Sequence, residues 1–275
     1  MFTIIEGIED LKILNKELMD RPYVGLDCEF RRTRKDNMKL CLLQINDGEE
    51  VYLIDTLAIK DPKECCSFLN SESVIKIIHS CREDIEAIYS WTNQRMIKIF
   101  DTQLAHALLS DNFSISYQGL VQEKLGVVLD KKETRSNWMR RPLLDSQLKY
   151  ATLDVEYLIN LYEEQNSQLI NSSKIDWLYE DVNQLIESSI NPTSMNIELP
   201  RVLSRVEEER LLLNFNNLVK EISTRESVNS TLFFSKKTQK HFLRLALSRG
   251  NDIALQEITP WRKKLIIDKL SEILR

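Results

Sequence analysis

The run Val24-Gly25-Leu26-Asp27-Cys28-Glu29-Phe30 constrains this chain more than any other stretch. It is short and apolar, and it lies between Pro22 and a cluster of basic residues, so it reads as a buried strand. Strand side chains alternate faces, so Asp27 and Glu29 project side by side from one face. Neighbouring carboxylates repel, and burying them is costly unless a positive charge sits between them. A divalent cation suits that place, because hard cations take oxygen ligands. Taken alone, the pair fits a solvated strand face equally well. The rest of the chain decides between the two.

With 275 residues the chain is at the length where single cores stop growing, so two domains are expected. Hydrophobic content of 43% and charged content of 29% are ordinary for a soluble globular protein. No apolar run is long enough to span a bilayer, and the first residues lack the pattern of a signal peptide, so no membrane is expected. Five cysteines (Cys28, Cys41, Cys65, Cys66, Cys81) include no Cys-x-x-Cys pair. They read as reduced thiols of a cytoplasmic protein, neither a disulfide framework nor a zinc site. Three scattered histidines (His79, His106, His241) argue against a His-based metal centre.

The net charge of −5 speaks against nucleic acid as a partner, but it hides an asymmetry. From Arg201 onward 15 Lys and Arg stand against 9 Asp and Glu, a net of +6; the first 200 residues carry −11. An acidic front and a basic back suit a metal-loaded catalytic domain beside a polyanion-binding module. A mildly basic helical bundle that merely covers the first domain fits as well.

In chain order, a short amphipathic helix is expected over 8–19, then the opening strand over 23–30. A polar turn with Arg31, Arg32, Arg34 and Lys35 leads to a second strand over 40–45. Asn46-Asp47-Gly48 is a hairpin signal, and a third strand follows over 50–55. Short turns between these strands make an antiparallel meander, so the sheet is mixed. A helix is expected over 61–69 and a buried strand over 74–79. Ser80-Cys81-Arg82-Glu83 has capping-box spacing, which puts Asp84 in the first turn of a helix, where the dipole favours a carboxylate. A short strand over 97–100 and a helix through Leu109 come next, then a helix over 116–125 closed by Gly126. Asp145 is read as the cap of one long helix to about 165, on whose flank Tyr150 and Asp154 stack four residues apart. A linker-like stretch over 190–200 precedes three helices, over 207–220, 236–247 and 261–274. Ser235 and Asp252 are candidate caps and Gly250 a stop. The resulting fold class is α/β with a mixed sheet, divided into residues 1–200 and a small all-α domain over 201–275.

The ordered set Asp27, Glu29, Asp84, Tyr150 and Asp154 resembles the DEDD 3′–5′ exonucleases of the tyrosine-bearing subclass, whose last motif is Tyr-x-x-x-Asp. The likeness is strongest to the ribonuclease D family. It runs through Gly25-Leu26-Asp27-Cys28-Glu29-Phe30, Leu42-Leu43-Gln44-Ile45, Leu53-Ile54-Asp55, Ile78-His79-Ser80, Phe100-Asp101-Thr102-Gln103, Leu129-Asp130-Lys131 and Arg141-Pro142-Leu143. That covers about residues 1–165 in order. The tail is similar, by size, helix content and basicity, to one diverged helicase-and-RNase-D C-terminal (HRDC) domain.

This resemblance implies a ribonuclease H-like exonuclease domain that releases nucleoside 5′-monophosphates from RNA 3′ ends, and the expected substrates are structured RNA precursors such as tRNA; no obligate protein partner is evident from the sequence. A DNA 3′–5′ exonuclease and a non-catalytic RNA-binding module of the same fold are the alternatives. It implies two divalent cations, Mg²⁺ or Mn²⁺, held by Asp27, Glu29, Asp84 and Asp154. Tyrosine titrates near pH 10, a poor general base, so Tyr150 is read as orienting the attacking water. Phe30, Gln44, His79, Arg135 and Arg141 are candidate substrate contacts, and Asp101 is read as a cap or supporting acceptor. The sequence departs from the family pattern at Cys28, where Thr or Ser is expected, and at Arg82, a cation beside Asp84.

Overall fold

Six strands form one sheet: β1 (Phe2–Ile5), β2 (Tyr23–Arg34), β3 (Asn37–Asn46), β4 (Val51–Ile54), β5 (Ile75–Ile78) and β6 (Ile99–Asp101). Their spatial order is β1-β4-β3-β2-β5-β6. β2, β3 and β4 pair antiparallel, while β1, β5 and β6 join in parallel, so the sheet is mixed as expected. The structure, a computed structural model, describes residues 2–34, 37–129, 133, 136–191, 199 and 202–270. Lys35, Arg135 and most of the 190–200 linker lie outside the described residues.

Two differences concern the opening strands. β1 was not anticipated: only Ile5 is buried in this four-residue edge strand, so it carries no periodic signal. β2 does not end at residue 30. Arg31, Arg32 and Arg34 continue it by pairing with Lys39, Met38 and Asn37, because backbone pairing outweighs their polar side chains. The register slips between Glu29 and Phe30, where Glu29 pairs with Leu42 and Phe30 with Leu40. Cys41 is thus an extra residue in β3, a bulge of the kind that re-aims side chains beside active sites.

Helix α1 (Ile8–Met19) has the expected bounds and buries Leu11, Leu14 and Leu18. The helix expected over 61–69 is instead two 3-10 turns, Pro62–Cys65 and Ser67–Asn70, separated at Cys66. Just after them Lys76, fully buried in β5, donates to the carbonyls of Phe68, Ser71 and Val74 at 3.3, 2.9 and 2.7 Å. Helices α2 (Arg82–Thr92), α3 (Thr102–Leu109) and α4 (Tyr117–Leu125) follow, the last closed by Gly126 at φ +71°. The single long helix expected from 145 is two, α5 (Asp145–Glu156) and α6 (Leu158–Asn171), and the cap position is Leu144 rather than Asp145. α5 lies over β2, β3 and β4, and α6 over β2 and β5. Gly25 allows that approach: a Cβ there would sit 3.2 Å from the Leu158 Cβ.

Helix α7 (Ile175–Ile190) joins this layer to a helical region: α8 (Arg205–Arg225), α9 (Ser230–Phe234), α10 (Lys236–Arg249), α11 (Asn251–Gln256) and α12 (Pro260–Ile266). The capping box that opens α8, Ser204 with Glu207, was not anticipated. Ser235 caps α10 and Gly250 ends it, as read, whereas Asp252 sits in the first turn of α11 without capping it. Phe215, Phe233, Phe234 and Phe242 form the local core. The two regions are joined by side chains. Trp177 stacks on Trp261 at 4.5 Å, Arg262 grips Asp181, and Lys174 donates to Leu108 O and Ser227 O at 2.9 and 2.6 Å. Among the described residues no helix is long and apolar enough to cross a membrane.

Candidate active site

Asp27 and Glu29 lie on the face of β2 that Gly25 turns towards α5 and α6. α5 crosses that face and brings Tyr150 and Asp154 to it. One carboxylate oxygen from each of Asp27, Glu29 and Asp154 falls within 4.8 Å of the others. Asp84 enters from the first turn of α2 and is buried there. The four acids and the tyrosine, spread over 128 positions of sequence, therefore meet in one place.

The seat of Asp84 differs from the expected capping box. Ser80 adopts φ +65°, and the N-cap residue of α2 is Cys81, whose own side chain makes no cap bond. Asp101 does that work across the chain. Its carboxylate accepts from Ser80 N (3.1 Å) and Cys81 N (2.9 Å), and from Gln103 N (2.9 Å) and Leu104 N (3.0 Å) at the start of α3. One buried carboxylate thus holds two helix starts, and with them Asp84. Arg82 is exposed, so the cation that sequence placed beside Asp84 turns to solvent.

Burial, together with the mutual repulsion of Asp154, Asp84 and Glu29, raises Asp27 well above the ordinary carboxylate range. Burial, then Asp154 and Asp84, push Glu29 up to about 9. Asp84 rises to about 7 through burial, partly offset by the Cys28 thiol beside it. Asp154 also rises to about 7 through burial, opposed by a hydrogen bond from the Tyr150 hydroxyl. The cluster holds more negative charge than its surroundings neutralise. An added cation would return these groups to their charged forms. Gln44, fully buried directly across from Asp27 in the β2–β3 register, has both amide atoms without a partner. An all-oxygen donor set, crowded acids and an orphaned amide beside them fit a divalent cation.

Tyr150 is buried, with its ring 6.2 Å from that of Trp138. Trp138 is held by a clamp that sequence reading mistook for a substrate contact. The Arg141 guanidinium binds both oxygens of Asp55, the carbonyls of Trp138 (2.8 Å) and Arg140 (2.7 Å), and the carbonyl of the bulged Cys41 (2.7 Å). All five N–H donors of the side chain are in use, leaving none for a phosphate. Arg141 is therefore a structural anchor.

His79 has both ring nitrogens engaged, Nδ1 with Thr102 Oγ1 at 2.9 Å and Nε2 with Ile115 O at 3.0 Å, so the ring packs and does not face substrate. The bond to a carbonyl makes Nε2 the protonated nitrogen, and burial lowers its pKa. Gln44 is sealed from a nucleotide. Phe30 points to the face opposite Glu29 and is half-buried against the core. Arg135 lies outside the described residues. Trp138, Asp55 and Tyr117 also support the site and were not among the candidates, since their contacts to Tyr150, Arg141 and the end of α5 join separate elements and leave no local pattern.

The family model for a 3′–5′ exonuclease matches residues 2–170. The chain belongs to the 3′–5′ exonuclease family. Within it, this exonuclease domain is similar to ribonuclease D of Shewanella sp. (strain ANA-3), 36% identical over 202 residues, which are 74% of this chain and 52% of the relative. Ribonuclease D of Xanthomonas oryzae pv. oryzae is 40% identical over 163 residues, 59% of this chain and 45% of the relative. The chain spans about half the length of these relatives. Among solved structures, Escherichia coli RNase D, an exoribonuclease involved in structured RNA processing, aligns with a TM-score of 0.66 at 22% identity, covering 100% of this chain and 74% of that one. Brucella melitensis NrnC with bound Mg²⁺ aligns at 0.59 and 20% identity, covering 74% and 98%. These two likenesses concern the fold, which is that of the exonuclease family.

Proposed function

We propose that this chain is a metal-dependent 3′–5′ exoribonuclease that removes nucleoside 5′-monophosphates one at a time from RNA 3′ ends. The observation that carries the reading is the meeting of Asp27, Glu29 and Asp154 within 4.8 Å, beside Asp84 and Tyr150. We assign Asp27, Glu29, Asp84 and Asp154 as the residues that would hold two divalent cations, Mg²⁺ or Mn²⁺. When bound, such ions lower the pKa of water and neutralise charge on a phosphodiester in its transition state. The protein's own contribution is orientation. Tyr150 donates to Asp154 and, beside the same carboxylates, aligns the attacking water. Trp138 closes the far side of Tyr150, and the Arg141–Asp55 clamp keeps that wall in place.

The names of the relatives support RNA as substrate and structured RNA as its class; within that class we propose tRNA precursors. We place the catalytic domain at residues 1–200 and read 201–275 as an HRDC-like module. On α10 Lys236, Lys237 and Lys240 are exposed, suited to phosphates that position RNA without reading sequence. Five free, buried cysteines agree with a cytoplasmic location.

The test is purified protein with 5′-labelled RNA and matching DNA, with Mn²⁺, Mg²⁺ or chelator. Metal-dependent stepwise shortening of RNA is expected. Equal action on DNA would shift the substrate class, and no mononucleotide release from either would overturn the enzyme reading. Reversing Lys236, Lys237 and Lys240 to Glu tests the tail without unstacking Trp177 from Trp261; RNA affinity should fall and its salt slope flatten.

A further inference from the structure

The break between α5 and α6 falls three residues after Asp154, in a stretch from 145 to 171 that holds neither proline nor glycine. Helices without those residues break where a foreign group enters the backbone ladder. Here the group is the Tyr117 hydroxyl. It donates to Leu153 O at 3.1 Å and accepts from Tyr157 N at 3.1 Å. In a continuous helix those two backbone groups would bond each other. Asn46 takes two carbonyls further along, its amide lying 3.0 Å from Val155 O and 3.2 Å from Glu156 O. The Tyr117 ring is buried and set edge-on against His79 at 5.8 Å, and His79 is itself tied to Thr102 and Ile115. The hydroxyl is thus held in place from a separate part of the fold.

We infer that Tyr117 is a positioning residue of the exonuclease site: its hydroxyl keeps the α5–α6 break open and thereby sets the tilt that aims Asp154 at Asp27 and Glu29. This rests on the reading of those acids as metal ligands. With the hydroxyl gone, Tyr157 N–H can return to Leu153 O and draw the end of α5 toward the path of a continuous helix, even while Asn46 keeps Val155 O and Glu156 O. The local hydrogen bonding is then repaired while Asp154 and Tyr150 leave their places. A residue that served only stability would behave otherwise, because its loss would lower the melting temperature.

The experiment compares wild type with Tyr117→Phe by steady-state kinetics on a 3′-terminal RNA substrate, calorimetric Mn²⁺ titration and thermal unfolding in chelator. A misplacement of about 1 Å costs roughly a hundredfold in rate, so kcat should fall by about 10- to 100-fold. KM should stay within about threefold of wild type, because substrate binding is not the function removed. Mn²⁺ affinity should fall with kcat, while the melting temperature stays level or rises. Wild-type kcat and Mn²⁺ affinity in the variant would overturn the inference, as would a rate loss matched by a lower melting temperature with Mn²⁺ affinity intact. Should the wild type release no nucleotide, the proposed activity fails. The Mn²⁺ contrast still decides the role of Tyr117, since equal affinity in the two proteins, or no binding by either, counts against it.

Discussion

The Arg141 guanidinium and the Asp55 carboxylate, 86 positions apart, form a two-pronged ion pair at the edge of the site. Burial alone would raise Asp55, but the hydrogen bonds and charge of Arg141 outweigh it and hold the carboxyl below its usual range. Because Arg141 also takes the carbonyls of Cys41 and Trp138, the pair locks the strand bulge to the wall behind Tyr150.

Arg141→Leu should therefore damage both stability and rate. Removing one partner of a buried ion pair costs about 3–5 kcal/mol; with the Arg141 side chain 26% exposed, solvent screening reduces this to about 2–3 kcal/mol. Urea unfolding measures it. A loss below about 1 kcal/mol would mean the clamp is a surface pair of the ordinary kind.

Stability without metal should fall as pH rises. Glu29, Asp84 and Asp154 are raised to about 9, 7 and 7 from ordinary values of 4.5, 3.8 and 3.8. Between the ordinary and the raised values the folded state binds more protons than the unfolded, so unfolding free energy declines with pH. The contribution is fully present below about pH 4 and is lost on the way to pH 7–9. In chelator the melting temperature should drop from pH 5 to 8, and the protection given by Mn²⁺ should grow over the same interval. Buried Lys76, lowered to about 7, has the opposite slope above that pH, but it cancels in the difference between metal and chelator. Parallel metal and chelator curves would count against the cluster as a metal site.

Asp27→Asn and Asp154→Asn should separate fold from function. Each removes a repelling, desolvated acid, so the melting temperature in chelator should hold or rise. The Mn²⁺-dependent increase should vanish, and cleavage should fall by at least about a thousandfold, the equivalent of a lost metal contribution of several kcal/mol. Unfolding of both variants would identify the cluster as structural.

Asp101→Ala removes the acceptor of four backbone N–H groups at two helix starts. An N-cap loss plus orphaned buried donors should cost roughly 3–5 kcal/mol. Hydrogen exchange should quicken first at 80–82 and 103–104, and Mn²⁺ affinity should weaken because Asp84 loses its seat. Uniform exchange across the sheet would show instead that the damage is global.

Much of this protein is set by local pattern. Alternation along 23–30 places Asp27 and Glu29 on one face, and Tyr150 and Asp154 share a helix flank because they are four residues apart. The mixed sheet follows from short turns between early strands, and Gly126, Ser235 and Gly250 mark helix ends that depend only on neighbours in sequence. Tertiary structure decided the rest. Ser80 to Glu83 has the letters of a capping box, yet the N–H groups go to Asp101, because a buried carboxylate arriving from β6 satisfies two helix starts together. Residues 145–171 carry the signal of one helix, yet a hydroxyl from Tyr117 divides it, since a hydrogen-bonding group inserted from elsewhere competes directly with the backbone ladder. Arg141 and His79 look like substrate contacts by type, and only their partners show that every donor is already engaged. Sequence determines which chemistry the chain carries; long-range hydrogen bonds, invisible to spacing, determine where each acid points.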